Sequence, residues 1–308
     1  ENIPNGDFTA WTTTTTSKSA KPTSWTAPGD YVDKFSVTML GSTTAVRDII
    51  AQEGSSAIKL VTSYDNLLGS AFPAVINLAE QVAVYSVAGG TRVQPYGNIS
   101  FHNTPDSALM NYYYKKKNSD KGALIRYLFY DSSGKVDTVN HIESAVTSSY
   151  VIRTIPLQTD GMTPYGMDII IDPTGMYPLT KKDCELDVDY LRFSYNSTLT
   201  DIKINGKAAT KSGNAFKVQL DSEETDLPTL SFVGEVSDQA QKVTWTERTD
   251  SIGCQHRRAT IINYAEDGTH TDYTLTVLRP RNTTNTLTNI LVNGESIEGF
   301  SATKVNYT

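Results

Sequence analysis

The sequence predicts an all-β protein built from successive sandwiches. Three observations predict it. Short runs of alternating or wholly apolar residues recur along the 308 residues, bounded by Gly, Pro, Asn, Asp and Ser. Nowhere do twelve consecutive residues keep the 3.6 period of an amphipathic helix. An eight-residue pattern also occurs twice, 88 residues apart, as Leu199-Thr200-Asp201-Ile202-Lys203-Ile204-Asn205-Gly206 and Leu287-Thr288-Asn289-Ile290-Leu291-Val292-Asn293-Gly294.

Taken in order, residues 57–62, 81–87, 123–131, 150–157 and 167–171 read as strands. Residues 44–53 suggest at most one or two helical turns. The run Thr12 to Thr16 is β-branched and unlike a flexible linker, so it reads as an extended edge or a surface loop. The triplet Lys115-Lys116-Lys117 reads as a solvated strand end. After residue 196 the spacing changes to that of a small immunoglobulin-like sandwich, which the 88-residue offset fits. Strands are legible at 216–220, 229–233, 242–247, 259–265 and 273–278. Each repeat copy runs a strand into Asn-Gly, whose two residues accept the positive φ of a type I′ turn. Glu266-Asp267-Gly268-Thr269 makes a hairpin connection, and Pro280 ends the last strand. Three pieces follow: residues 1–196, a large sandwich; 197–281, the small one; and 282–308, the start of a second small copy, which alone lacks the strands to bury its apolar face.

Composition excludes several classes. The net charge of −7 argues against a nucleic-acid partner, which needs a basic face. No run of 18 apolar residues offers a membrane span. The chain opens at Glu1 without Met and stops after Tyr307-Thr308 inside a strand-like pattern. We therefore expect a processed piece of an exported, extracellular or cell-surface polypeptide, with room for a lipid anchor before processing. Two cysteines, Cys184 and Cys254, are too few for a disulfide framework; they are either inert buried thiols or one bridge.

At four places the chain resembles the carbohydrate-metabolism domain of exported bacterial proteins, a jelly-roll family. Asn5-Gly6-Asp7-Phe8-Thr9-Ala10-Trp11 resembles its opening Asn-Gly-x-Phe-Glu-x-Trp. Gly54 to Thr62 resembles a Gly-x-x-Ala-x-x-Leu-x-Thr strand, and Leu109 to Lys115 a Leu-x-Gly-Tyr-Tyr-Lys-Tyr strand. Leu186-Asp187-Val188-Asp189-Tyr190-Leu191-Arg192-Phe193 resembles its closing strand. The departures are Thr9 for an acidic residue, Asn111 for Gly, and exchanged Tyr114 and Lys115. The resemblance implies an N-terminal jelly-roll sandwich concerned with glycan capture or turnover, followed by cadherin-like or immunoglobulin-like modules. It also implies that the first and last segments of the large domain lie side by side.

Sugar rings stack their C–H faces on aromatics while their hydroxyls need polar partners. Seventeen tyrosines against nine phenylalanines suit such a surface. On one strand Tyr112 and Tyr114 share a face and Tyr113 takes the other. With Leu109 and Tyr113 placed inward, Tyr112 and Tyr114 stand open near Arg126; alternatively these tyrosines only cover the sheet. Trp25 lies in a Pro-bounded loop and serves either ligand contact or packing, whereas Trp11 and Trp245 read as core. His102 offers a hydrogen bond to a sugar hydroxyl. The expected ligand-binding set is thus Tyr112, Tyr114, Trp25, His102 and Arg126, with an oligo- or polysaccharide as partner. No cofactor is expected beyond a structural calcium held by Asp7 and Asp189, a site that Thr9 deprives of a carboxylate.

Catalysis has no signature. A glycosidase needs two facing carboxyls, and nothing in the spacing selects two from Asp106, Asp131, Glu143, Asp168 and Asp172. His102, His141, His256 and His270 show no zinc spacing, and no Gly-x-Ser-x-Gly elbow occurs. Three readings stay open: a non-catalytic glycan-binding protein, a glycoside hydrolase, and a structural adhesin or fimbrial subunit.

Overall fold

The computed structural model describes residues 2–13, 20–27, 45–48, 51, 54–65, 70–79, 81–87, 90–158, 161–175, 183–221, 227–233, 239–251, 254–280, 287–301 and 303. Every regular element among them is a strand. They divide into two compact units. One comprises residues 1–196 with 265–269; the other comprises 197–264 and 270–308.

The first unit is an antiparallel jelly-roll sandwich. Sheet one orders Ile99–Ser100, Gly166–Asp172, Ala123–Tyr130 and Val136–Glu143, with Ile76–Asn77 also on Gly166–Asp172. Sheet two orders Val151–Pro156, Ser107–Lys116, Glu185–Ser194, Ala57–Val61 and Ala45–Asp48. From Ser107 onward the chain passes repeatedly from one sheet to the other, so each sheet's inner face is built from distant segments. Alternation does the rest. Ile125, Tyr127, Phe129, Met167, Ile169 and Ile171 of sheet one meet Met110, Tyr112, Tyr114, Leu186, Val188 and Phe193 of sheet two in one apolar core. Residues 45–48, within the segment that suggested helical turns, are a strand in register with Ala57–Val61. Most of residues 49–53 lie outside the described residues, as do Thr14 to Ser19 of the threonine run.

The closing strand, Glu185–Ser194, carries a bulge. Asn111 faces Tyr190 and Tyr112 faces Val188, leaving Asp189 without an opposite residue. Leu186 and Val188 point inward before the bulge, Leu191 and Phe193 after it. The extra residue keeps the apolar set inside and turns Tyr190 and Arg192 outward.

The opening segment is seated on this strand. The Gly6 carbonyl accepts the Leu191 amide at 2.7 Å. A β-carbon on Gly6 would stand 2.1 Å from the Leu191 carbonyl oxygen, so no other residue fits this approach. Asn5, at φ 45°, staples the turn. Its Nδ2 donates to the carbonyls of Ala10 and Thr23, both at 2.9 Å, and its Oδ1 accepts the Ala10 amide at 3.0 Å. Phe8 is buried with its ring 5.3 Å from that of Trp25. The Trp25 indole donates to the Pro4 carbonyl at 3.1 Å. Trp11 is half-buried at the core's edge and donates to the Phe8 carbonyl.

Residues 74–79 run alongside Gly166–Asp172, with Ala74, Ile76 and Leu78 in the core. The Ala79 amide donates to Asp168 Oδ1 at 2.8 Å, and Asp168 is fully buried.

The second unit is an immunoglobulin-like sandwich. A small sheet orders Lys207–Ala208, Asp201–Ile204 and Leu230–Val233. A larger one orders Thr210–Ser212, Ala215–Gln219, His270–Pro280, Cys254–Tyr264 and Ala240–Trp245, with Thr249–Ser251 also on Cys254–Tyr264. Leu199, Ile202 and Ile204 pack with Phe216, Ile261, Tyr273 and Leu275, and Trp245 packs against them half-buried. Asn205 and Gly206 take φ 49° and 80°, and Asn293 and Gly294 take 54° and 87°, so both copies make the turn the dipeptide specifies. In the second copy Leu287 and Val292 are exposed and Ile290 is half-buried, whereas their counterparts Leu199, Ile204 and Ile202 of the first copy are buried. Both cysteines are free thiols.

Two predictions follow from this packing. Gly6→Ala should destabilise the first unit by about 1–3 kcal/mol through overpacking, while Asp7→Ala stays within about 0.5 kcal/mol; chemical denaturation of the two variants checks the contrast. Burial pushes Asp168 from its ordinary 3.8 to about 6, against the hydrogen bonds it accepts. Between those values the folded chain keeps a proton that the unfolded chain has lost. The stability tied to this group is therefore complete below about pH 3.8 and is lost as pH rises through about 6, an effect on the order of 3 kcal/mol. Asp168→Asn should remove that part of the pH slope in melts at pH 4, 5, 6 and 7, and an unchanged slope would refute the assignment.

Candidate functional site

A cleft of about 330 Å³ opens where the opening turn crosses the closing strand. Asn2, Asn5 and Asp7 form one wall, Tyr190 and Arg192 the other, with the backbone of Gly6 and Leu191 between them. Its position follows from the Gly6–Leu191 approach, and its second wall from the bulge. Asn5 is consumed in stapling the turn. Asn2 Oδ1 accepts the amides of Ile3 at 2.8 Å and Phe193 at 3.3 Å, which leaves its NH₂ to donate outward. Asp7 is exposed, and its carboxylate accepts the Thr9 hydroxyl at 2.9 Å. The exposed Arg192 lays its guanidinium 4.8 Å from the centre of the Tyr190 ring. A carboxylate accepts and a guanidinium donates, so the cleft offers both roles that a hydroxyl-bearing ligand needs. Its volume lies at the lower end of small-molecule sites.

The residues singled out in the sequence fall elsewhere. Tyr112 and Tyr114 are fully buried between the sheets, the reverse of the expected orientation. Ala108, Met110, Tyr112 and Tyr114 face the core, and Leu109, Asn111, Tyr113 and Lys115 face out. Tyr114 donates to the Pro173 carbonyl at 3.2 Å, and burial pushes both phenols well above the ordinary range. Trp25 is core beneath the opening turn. None of these three rings presents a face for a sugar to stack on. Tyr113, placed inward from sequence, lies on the outer face with its ring 5.7 Å from Tyr150 and Lys115 Nζ 5.0 Å from its centre. Arg126 is half-buried on sheet one, where its Nε donates to Asn140 Oδ1 at 2.7 Å.

His102 alone of that set is exposed, in the loop before Ser107, and it stands edge-on to Tyr165 with ring centres 5.4 Å apart. Tyr165 carried no signal in the sequence; a single tyrosine in a Pro-containing loop is unremarked until the fold exposes it. Lys116 and Lys117 are exposed at the strand's end as expected, whereas Lys115 is half-buried and pairs with buried Asp187.

Asp7 and Asp189 differ in setting. Asp7 is at the cleft mouth, whereas Asp189 is the buried bulge residue and accepts Asn111 Nδ2 at 3.0 Å. Among the described residues no group of three or more His, Cys, Asp or Glu side chains gathers as a metal cage. A calcium at this joint would have to draw on Asp7 and backbone carbonyls.

The five acids weighed for hydrolysis each hold a structural partner. Asp106 accepts the Asn196 amide. Asp131 closes a turn by accepting from Ser133 and Lys135. Asp172 accepts the Thr174 amide and hydroxyl, both at 2.7 Å. Asp168 accepts from Ala79. Glu143 sits at the sandwich edge with Arg153 Nε at 3.0 Å and His141 Nε2 at 2.7 Å. Burial pushes the Glu143 carboxyl up, but Tyr112, His141 and Arg153 beside it outweigh that and hold it below the ordinary range. A carboxyl kept ionised is the wrong form for a general acid. No helix among the described residues is long and apolar enough to cross a membrane.

No family model matches the chain, and no curated protein matches it. Solved structures resemble it at low TM-score. A carbohydrate-binding module of the β-sandwich superfamily aligns at TM-score 0.31 and 12% identity, over 49% of this chain and 54% of that one. A family 16 carbohydrate-binding module aligns at 0.26 and 10%, over 48% of this chain and 83% of the other. A Clostridium perfringens M60 catalytic domain with two CBM51 domains aligns at 0.21 and 10%, over 74% and 19%. The chain thus spans about half the length of the first of these, and its all-β fold rests on its own strand pairing and cores.

Proposed function

We propose that this chain is a non-catalytic carbohydrate-binding protein of the cell exterior that takes a sugar in the cleft between the opening turn and the closing strand. The observation that carries the reading is the polar lining: Asp7 accepting, Arg192 and Asn2 donating, around a cavity of about 330 Å³. Adjacent sugar hydroxyls need such a mixed set, and the exposed Asn2, Asp7 and Arg192 leave the site open to a ligand attached to a larger surface. Binding at one open site of this kind is weak, so avidity from several copies supplies the hold. The small sandwiches serve as spacers. The acids that hydrolysis would require are engaged in holding the fold.

A printed glycan array probed with the full 308-residue chain, followed by titration calorimetry on the best hit, tests this. Asp7→Ala and Arg192→Ala should each weaken binding at least tenfold, the loss of a charge-assisted hydrogen bond, with the melting temperature unchanged. No bound glycan, or undiminished affinity in both variants, would overturn the reading. A glycan recovered shortened after incubation would replace it with hydrolysis.

A further inference from the structure

We infer that the ligand is an oligosaccharide rather than a single sugar, running from the cleft to a second contact on Tyr165 and His102; this rests on the sugar-binding reading of the cleft. Tyr165 is 59% exposed, yet its backbone is fixed on both sides. Its amide donates to the Tyr130 carbonyl at 2.7 Å, and its carbonyl accepts the Phe101 amide at 3.3 Å. The following Gly166 is wedged so tightly that a β-carbon there would lie 2.2 Å from Asn98 Oδ1. His102 meets the Tyr165 ring edge-on at 88°. An exposed aromatic ring on a fixed backbone loses little freedom when a flat ligand stacks on it. The His102 imidazole beside it supplies a hydrogen-bonding group at the ring's margin.

The strand register places this contact at the same end of the first unit as the cleft. Arg192 pairs with Leu109, and Ser194 pairs with Ser107. The Asp106 amide donates to the Ser194 carbonyl at 3.0 Å. The 101–106 loop that carries His102 therefore ends at Ser194, two residues beyond Arg192 and roughly 7 Å along the strand. Tyr165 is not part of the cleft lining, so a ligand that meets both must extend beyond a sugar held in the cleft. The chemistry at the two places also differs as the two ends of such a chain would require. Hydrogen-bonding groups fix a terminal sugar in the cleft, and an apolar ring face supports the sugars that follow.

Calorimetry with the gluco-, manno-, galacto- and xylo-oligosaccharide series, from monosaccharide to hexasaccharide, separates the two ideas. In whichever series binds, affinity should rise with length. Tyr165→Ala should cancel the rise, a loss of roughly three- to tenfold on the longest member, and leave the monosaccharide untouched. Tyr165→Phe should keep the rise, because the ring face is retained. Affinity that is independent of length, or a rise that survives Tyr165→Ala while Asp7→Ala still abolishes binding, would sink the extended ligand and spare the cleft. Absence of binding by every member would sink both.

Discussion

The first unit depends on one backbone approach, the Gly6 turn lying against Leu191. At that point two segments nearly two hundred residues apart meet with no side chain between them. Each residue of the opening motif then has an assignment. Asn5 adopts the left-handed conformation that few residues tolerate and ties the turn to Ala10 and Thr23. Gly6 permits contact, and Phe8 enters the core against Trp25. Asp7 and Ala10 are left for solvent. A motif that reads in sequence as a glycan-binding signature is, residue by residue, the joint that closes a sandwich.

The bulge at Asp189 decides what that joint presents. In an unbroken strand Tyr190 and Arg192 would share a face with Leu186 and Val188 and point into the core. One extra residue exchanges the faces midway, so the apolar set remains inside and a guanidinium stacked on a phenol ring comes out beside Asp7. The cost is a buried carboxylate, met by the Asn111 amide. Asn111 replaces the glycine usual in the resembling family, and its side chain is what answers the bulge residue.

Much of this is legible in the residues themselves. The spacing Leu186-x-Val188-x-x-Leu191-x-Phe193 changes from two to three and back, which is the mark of a bulge. Between Ala108 and Tyr114 the odd set holds Asn111 and the even set holds none but Ala, Met and Tyr. That polarity settles which face is inward, and the single apolar Leu109 misleads. The Asn-Gly repeat names its own turn because conformation there is local. Tyr165 and Arg192 are different. Nothing near either residue in sequence marks it as exposed, since exposure is set by what distant segments leave uncovered. The partners of Asp168 and Glu143 are hidden for the same reason.

Stability and the proposed recognition thereby fall to separate groups. Asn5, Gly6, Phe8, Trp25, Tyr112 and Tyr114 face inward and are bound to the fold by packing and hydrogen bonds whose loss would be felt throughout the unit. Asp7, Arg192, His102 and Tyr165 face solvent, where a charge or a ring adds little to folding. The inward set can stay fixed while the outward set changes, and a sandwich of this kind can present many different surfaces. This is why the motifs that reveal the fold say little about a ligand, and why the proposed site is argued from the chemistry of four exposed side chains rather than from the likeness of the scaffold.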